Sequence, residues 1–169
     1  MKQIKQGVKE KRMTNIQTYF VNAGKWCCLA LDYIYAVIDT LVDADENTKM
    51  NILNTALFAA YITGKGVDKE FYVYDPKLLM ETTAKAIGKE IKVNIEKKDI
   101  TSVSQLPKGY AAVRFDFNNN SHFVLVKDNY IYFNSLEFSN CVSYGKPTTA
   151  RVITIEKNIW KYKRNNKIA

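Results

Sequence analysis

Apolar residues in the first part of the chain recur at the spacing expected of a helix. Residues 26–42 contain no glycine or proline, and their apolar side chains form a stripe along one helical face: Leu31, Ile34, Ile38, Leu41 and Val42. Asp32 and Asp39 fall off this stripe. The segment is apolar enough to predict a helix that lies at the centre of the fold.

Two further helices are predicted before the middle of the chain. One begins at residue 47 or 48, after an acidic loop with capping residues, and ends at residue 63, just before Gly64. The other opens at Asp75 and Pro76, an N-cap followed by a first-turn proline, and closes at Gly88.

The second half of the chain alternates apolar and polar residues, as strands do. Residues 110–117 place Ala111, Val113, Phe115 and Phe117 on one face. Strands are also predicted at 91–95, 122–127, 130–134 and 151–156, with a short extension at 141–143. Helices followed by antiparallel strands predict an α+β fold, with N-terminal helices packed on a C-terminal twisted antiparallel sheet.

Residues 121–135 predict a β-hairpin that carries the only histidine of the chain. A three-residue loop at 127–129 would set Val126 opposite Tyr130 and His122 opposite Asn134. One face of the hairpin would then be wholly apolar, formed by Phe123, Leu125, Ile131 and Phe133. This register predicts that the imidazole lies beside the Asn134 side chain.

The charge of the chain is concentrated at its two ends. The 169 residues carry a net charge of +8, of which residues 1–12 contribute +4 and residues 157–169 contribute +5. We therefore predict one domain at 15–157, between a basic arm at 1–14 and a basic tail at 158–169. These ends are either solvated tails or contacts for a polyanion such as nucleic acid, anionic lipid or wall polymer.

Other classes of protein are disfavoured by simple counts. No apolar run is long enough to span a bilayer, and no secretory signal is evident. Three cysteines, two of them adjacent, do not make a disulfide framework, so a reducing, cytoplasmic location is expected. One histidine without spaced cysteine pairs makes a zinc site unexpected, and no cofactor is predicted.

Three residue types point to nucleophilic chemistry. Cys27 and Cys28 fall in the first turn of the predicted central helix, where free amides and the helix dipole stabilise a thiolate. An imidazole held by an amide, as predicted for His122 and Asn134, can take the proton of such a thiol. The alternative is structural: two small buried cysteines in a core helix, and a surface histidine that caps a hairpin.

This order of residues resembles the papain-like cysteine peptidases. The closest likeness is to the bacteriocin-processing peptidase domains of ABC exporters and their stand-alone relatives. The resemblance rests on residues 28–32, on the turn at 106–109, on the His-Phe-Val-Leu-Val strand at 122–126 and on the Phe-Asn-Ser end at 133–135.

The resemblance implies a role for each candidate residue. Cys28 would be the nucleophile, with Cys27 as the alternative, and the substrate would be a peptide or amide. His122 would be the general base and Asn134 the residue that orients it. The family uses a glutamine about six positions before the cysteine to stabilise the oxyanion; here that position holds Asn22, a shorter amide, while Gln17 lies farther away.

A second function follows from the same fold. A papain-like module without catalysis, of phage or mobile-element origin, would bind a partner while its basic ends contact a polyanion. A cell-wall hydrolase, which also uses a cysteine followed by a histidine, is a variant of the first function.

Overall fold

The computed structural model describes residues 27–136 and 138–158, which form helices packed on one antiparallel sheet. The helical part comprises α1 (Cys27–Leu41), α2 (Glu46–Thr63) and α3 (Pro76–Ala86). All three correspond to helices predicted from the spacing of apolar residues. The predicted α+β fold class is confirmed.

Capping side chains determine where α2 and α3 begin. The Asp45 carboxylate accepts a hydrogen bond from the Thr48 amide at 2.8 Å, and the Asp75 carboxylate accepts one from the Leu78 amide at 3.0 Å. Each bond satisfies a first-turn donor that the helix itself cannot pair. Because Asp45 is the cap, α2 begins at Glu46, slightly earlier than predicted.

The sheet has five strands in the spatial order β1-β5-β2-β3-β4. Their bounds are β1 Ile91–Asp99, β2 Tyr110–Phe117, β3 Asn120–Lys127, β4 Tyr130–Phe133 and β5 Lys146–Lys157. The predicted strands are present, but β5 begins at Lys146, five residues before the predicted start of the strand at 151–156. β5 thus contains Pro147, which pairs with Phe115 where β2 and β5 shift register, a place that tolerates proline.

The strand extension predicted at 141–143 is wrong, because these residues belong to a short helix, α4 (Asn140–Tyr144). Cys141 and Val142 are both buried in the same apolar cluster. Neighbouring residues of a strand point to opposite faces, whereas neighbours on a helix can bury side chains in one cluster. Burial of both side chains therefore favours the helix.

Helix α1 lies at the centre of the larger core, as predicted. Almost every side chain from Cys27 to Ile38 is buried, against α2, α3 and the sheet. The two acidic residues placed off the apolar stripe are also inside, which the spacing did not predict: Asp32 is 0% exposed, and the Asp39 side chain is 3% exposed.

A second core covers the opposite face of the sheet. It joins Val113 of β2, Val124 of β3 and Ala150 of β5 to residues of α4 and to Leu106. Strands β2 and β3 are thus buried on both faces, which explains why they contain so few charged residues.

The β3–β4 hairpin has a different register from the predicted one. Its turn has two residues, Asp128 and Asn129, both with positive φ, so Lys127 pairs with Tyr130. A bulge then places Leu125 opposite Phe133, which makes Tyr132 the extra residue. In a regular hairpin with a two-residue loop, Ile131 and Phe133 would lie on the same face. Here Ile131 packs on the second core, whereas the bulge returns Phe133 to the face that packs on α1.

The predicted arm at 1–14 lies outside the described residues, as does the predicted tail at 158–169 apart from Asn158. The domain boundaries stay predictions. Among the described residues, no helix combines the length and apolar character needed to cross a membrane.

Candidate active site

Cys28 stands at the start of α1, where the helix meets β3. The strand pairing of β3 with β4 stops at Leu125, and the Cys28 thiol lies beside the backbone of Phe123, two residues before that point. Cys28 is 4% exposed and belongs to neither apolar cluster, whereas Cys27 is 1% exposed and packs in the larger core.

Burial decides the protonation of both thiols. It raises the pKa of Cys28 to about 12, and the charge of Asp32 acts in the same direction. The backbone amides of Phe123, Leu29 and Cys28 lower the pKa, as expected at a helix start, but by less. The lowered cysteine pKa predicted from the sequence is therefore wrong for the resting state, and the pKa of Cys27 is also raised to about 12.

His122 and Asn134 form a buried pair, as predicted, although through a different register. The Nε2 atom of His122 lies 2.7 Å from Oδ1 of Asn134, and the two residues are 4% and 2% exposed. The bulge in the hairpin brings Asn134 within reach even though strand pairing has already ended at Phe133.

The same amide oxygen fixes the tautomer of the imidazole. Oδ1 of Asn134 also accepts the backbone N–H of Leu136 at 3.0 Å. Because that N–H can only donate, the atom facing both groups must be the oxygen of the amide. Nε2 of His122 is therefore the protonated nitrogen, and Nδ1 keeps the lone pair that a base needs.

The imidazole is neutral near pH 7. Burial lowers the pKa of His122 to about 4, and the hydrogen bond to Asn134 offsets only part of that effect. The resting site thus holds a neutral imidazole and a protonated thiol. This is the state from which a general base can accept a proton.

The structure brings Cys28 and His122 to neighbouring positions without joining them. Both residues are described, and no hydrogen bond links the thiol to the ring. His122 pairs with Phe115, whose side chain lies in the second core, while Leu125 faces α1. Strand alternation therefore places the imidazole on the face of β3 opposite α1, next in sequence to Phe123, whose backbone the Cys28 thiol contacts.

The two predicted oxyanion donors, Asn22 and Gln17, lie outside the described residues. The structure adds Asp32, one helical turn after Cys28, which was not among the predicted site residues. Asp32 is fully buried, and neither of its carboxylate oxygens has a hydrogen-bond partner among the described residues. A sequence feature could have drawn attention to Asp32, because Asp32 and Asp39 are the only charged residues in the apolar segment 27–42.

Metal chemistry has no visible basis in this part of the chain. Among residues 27–136 and 138–158, no three histidine, cysteine or acidic side chains are placed to hold an ion.

Comparison of the chain with protein-family models, with the curated proteins and with the solved structures found no match.

Proposed function

We propose that this protein is a papain-like cysteine hydrolase that cleaves a peptide or amide bond. Cys28 is the nucleophile, His122 the general base and Asn134 the residue that orients the imidazole. The observation that carries the proposal is the buried His122–Asn134 pair, whose second bond to Leu136 leaves Nδ1 as the basic nitrogen.

The proposed reaction needs the thiol and the imidazole to approach one another. As sulfur attacks the carbonyl carbon, Nδ1 of His122 takes the thiol proton. The imidazolium then gives this proton to the departing amine, leaving a thioester on Cys28. Water, deprotonated by the same nitrogen, releases the acid and restores the thiol.

Backbone amides at the start of α1 support the oxyanion. Those of Cys28 and Leu29 face the sulfur and favour negative charge near it. Asn22 or Gln17 is the proposed side-chain donor. Each turnover begins from a reduced thiol, and so the proposal includes a reducing, cytoplasmic setting.

Two contacts favour Cys28 over Cys27. The Cys28 thiol lies against β3, the strand that carries His122, while Cys27 is buried in the larger core. Adjacent residues of a helix point about 100° apart, so only one of the two thiols can face the strand.

The alternative is a papain-like module that binds a partner without catalysis. It is favoured by the raised pKa of the Cys28 thiol and by the lack of a hydrogen bond between this thiol and His122. In this alternative the basic segments 1–12 and 157–169 contact a polyanion. Salt-dependent binding to DNA or to an anionic wall polymer, lost when these segments are neutralised, would support it.

The adjacent cysteines provide a matched test of the enzyme proposal. Purified protein is treated with iodoacetamide across a range of pH, and the modified residue is located by mass spectrometry. Hydrolysis of a library of fluorogenic peptide amides is measured in parallel. We expect Cys28→Ser to abolish both labelling at that position and turnover, while Cys27→Ser preserves them.

Two results would count against the proposal that Cys28 is the nucleophile of an enzyme. Turnover that survives in Cys28→Ser and disappears in Cys27→Ser would assign the nucleophile to Cys27. Peptide binding without any turnover, unchanged by either substitution, would favour the binding module.

A further inference from the structure

One carboxylate joins the helix that carries Cys28 to the strands that lead to His122 and Asn134. Asp39, near the end of α1, accepts hydrogen bonds from four side chains of the described residues, which with it form the Asp39 cluster. The donors are Lys49 at 3.1 Å, Lys127 at 3.0 Å, Tyr132 at 2.9 Å and Tyr110.

The donors come from four different elements. Tyr110, Lys127 and Tyr132 belong to the neighbouring strands β2, β3 and β4, and Lys49 belongs to α2. The Lys127 ammonium lies 5.2 Å from the ring centre of Tyr110 and 4.8 Å from that of Tyr132. The charge of Lys127 is therefore held in place by the carboxylate and by two aromatic faces.

The Asp39 carboxylate is ionised at neutral pH. Burial alone would raise the pKa of Asp39, but the hydrogen bonds from Tyr110, Lys127, Lys49 and Tyr132 outweigh it, and the pKa is lowered. The contact between helix and sheet thus includes an ion pair that does not titrate near neutral pH.

The distances along α1 and β3 match. From Cys28 to Asp39 the helix rises about 16 Å, at about 1.5 Å per residue. From His122 to Lys127 the strand extends about 17 Å, at about 3.3 Å per residue. Pairing Asp39 with Lys127 at one end therefore brings Cys28 level with His122 at the other, where the thiol contacts the backbone of Phe123.

We propose that Asp39 is a positioning residue for the candidate active site: its bonds to the hairpin set the axial position of α1, and so align Cys28 with His122. The inference rests on the proposed function. Asp39 does not touch the reacting groups and acts through the placement of the helix.

The cluster contains its own control. Lys127 connects Asp39 to the strand that carries His122, whereas Lys49 connects the same carboxylate to α2, which carries no candidate site residue. Lys127→Met and Lys49→Met each remove one ion pair from Asp39. Only the first should disturb the alignment of Cys28.

The test measures how strongly His122 controls Cys28. In a Cys27→Ser/Cys141→Ser background, the rate of Cys28 alkylation by iodoacetamide is compared with and without His122→Ala. We expect the ratio of the alkylation rate with His122 to the rate with His122→Ala to be about tenfold or more. The ratio should fall toward one in Asp39→Asn and in Lys127→Met, and stay unchanged in Lys49→Met.

Two results would overturn the positioning role. One is a ratio that persists in folded Asp39→Asn and Lys127→Met; the other is an equal loss in Lys49→Met, which would indicate general loosening. If Asp39→Asn does not fold, Tyr132→Phe, which removes a single donor, takes its place. A ratio near one in the starting background contradicts the proposed function itself and is thereby distinguished from failure of the positioning role alone.

Discussion

Nε2 of His122 lies 2.7 Å from Oδ1 of Asn134, and the backbone amide of Leu136 donates to the same oxygen. Burial keeps the imidazole neutral, and the bond to Asn134 keeps its hydrogen on Nε2. Together with the protonated thiol of Cys28, it defines a resting site with no formal charge on either candidate group. Catalysis from such a state requires proton transfer during attack, since no thiolate is stored beforehand.

The histidine should titrate well below its ordinary range. As the only histidine, His122 gives a single set of imidazole resonances, and NMR titration should place its pKa near 4. A midpoint near 6.5 would contradict the buried position of the ring.

The same shift predicts how stability depends on pH. Above pH 6.5, the unfolded-state pKa, His122 is neutral in both states and does not affect the unfolding free energy. Below it, the unfolded state binds a proton that the folded state does not, so the unfolding free energy decreases as pH falls toward about 4. The difference corresponds to about 3 kcal/mol of unfolding free energy. Urea unfolding of the unsubstituted protein and of His122→Gln should therefore diverge in pH dependence between these two values, and parallel curves would contradict the prediction.

Asn134 allows the imidazole pKa to be moved in both directions. Asn134→Ala removes the bond that raises the pKa of His122, so this pKa should fall further. It also leaves a buried N–H unpaired, and should lower the unfolding free energy by about 1–3 kcal/mol. Asn134→Asp places a negative charge beside the ring and should raise the His122 pKa. NMR titration and urea unfolding check both variants, and a pKa that neither variant moves would show that the pair is not formed.

Asp32 should make the fold less stable as pH rises. Burial raises its pKa, so the folded state disfavours the charged form, and stability falls from about pH 4 up to the folded pKa. Asp32→Asn should remove this decline. Because Asp32 also raises the pKa of Cys28, the same variant should speed alkylation of Cys28.

An exposed aspartate serves as the control for this variant. Asp43→Asn, in the loop between α1 and α2, should leave the alkylation rate of Cys28 unchanged. Equal effects of Asp32→Asn and Asp43→Asn would show that Asp32 has no special coupling to the thiol.

The two-residue turn of the hairpin should be sensitive to Asn129. Its φ of 68° suits asparagine or glycine, and its side-chain N–H groups donate to the carbonyls of Val103 and Leu106. Asn129→Ala loses both features and should lower the unfolding free energy by about 2 kcal/mol. Asn129→Gly relieves the strain alone and should lie between the two proteins; equal stability of all three would contradict the turn.

Local signals were enough to predict most elements. The adjacent residues Asp75 and Pro76 were enough to predict the start of α3. The alternation of apolar residues was enough to predict the buried face of β2. The contact between His122 and Asn134 was also predicted, although from a register that the structure does not have. The shorter turn shifts the pairing by one residue and the bulge at Tyr132 shifts it by one more, which returns Asn134 to the face of the hairpin that carries His122.

Features that depend on distant contacts could not be predicted. Asp39 is joined to Tyr110, Lys127 and Tyr132 across 71, 88 and 93 residues of sequence, so helical periodicity alone placed it outside the apolar stripe. The prediction of a lowered pKa for Cys28 failed for a similar reason. The helix start supplies the expected amides, but tertiary burial, which the sequence does not display, has the larger effect.

The most direct test of the central claim is the ¹⁵N spectrum of the two His122 ring nitrogens at pH 7, recorded for the unsubstituted protein, Cys28→Ala and Cys27→Ala. We predict a protonated Nε2 and an unprotonated Nδ1, with the Nδ1 resonance moved by Cys28→Ala and unmoved by Cys27→Ala. A proton on Nδ1, or a spectrum that does not respond to the loss of Cys28, would contradict a site in which this thiol and this imidazole work together.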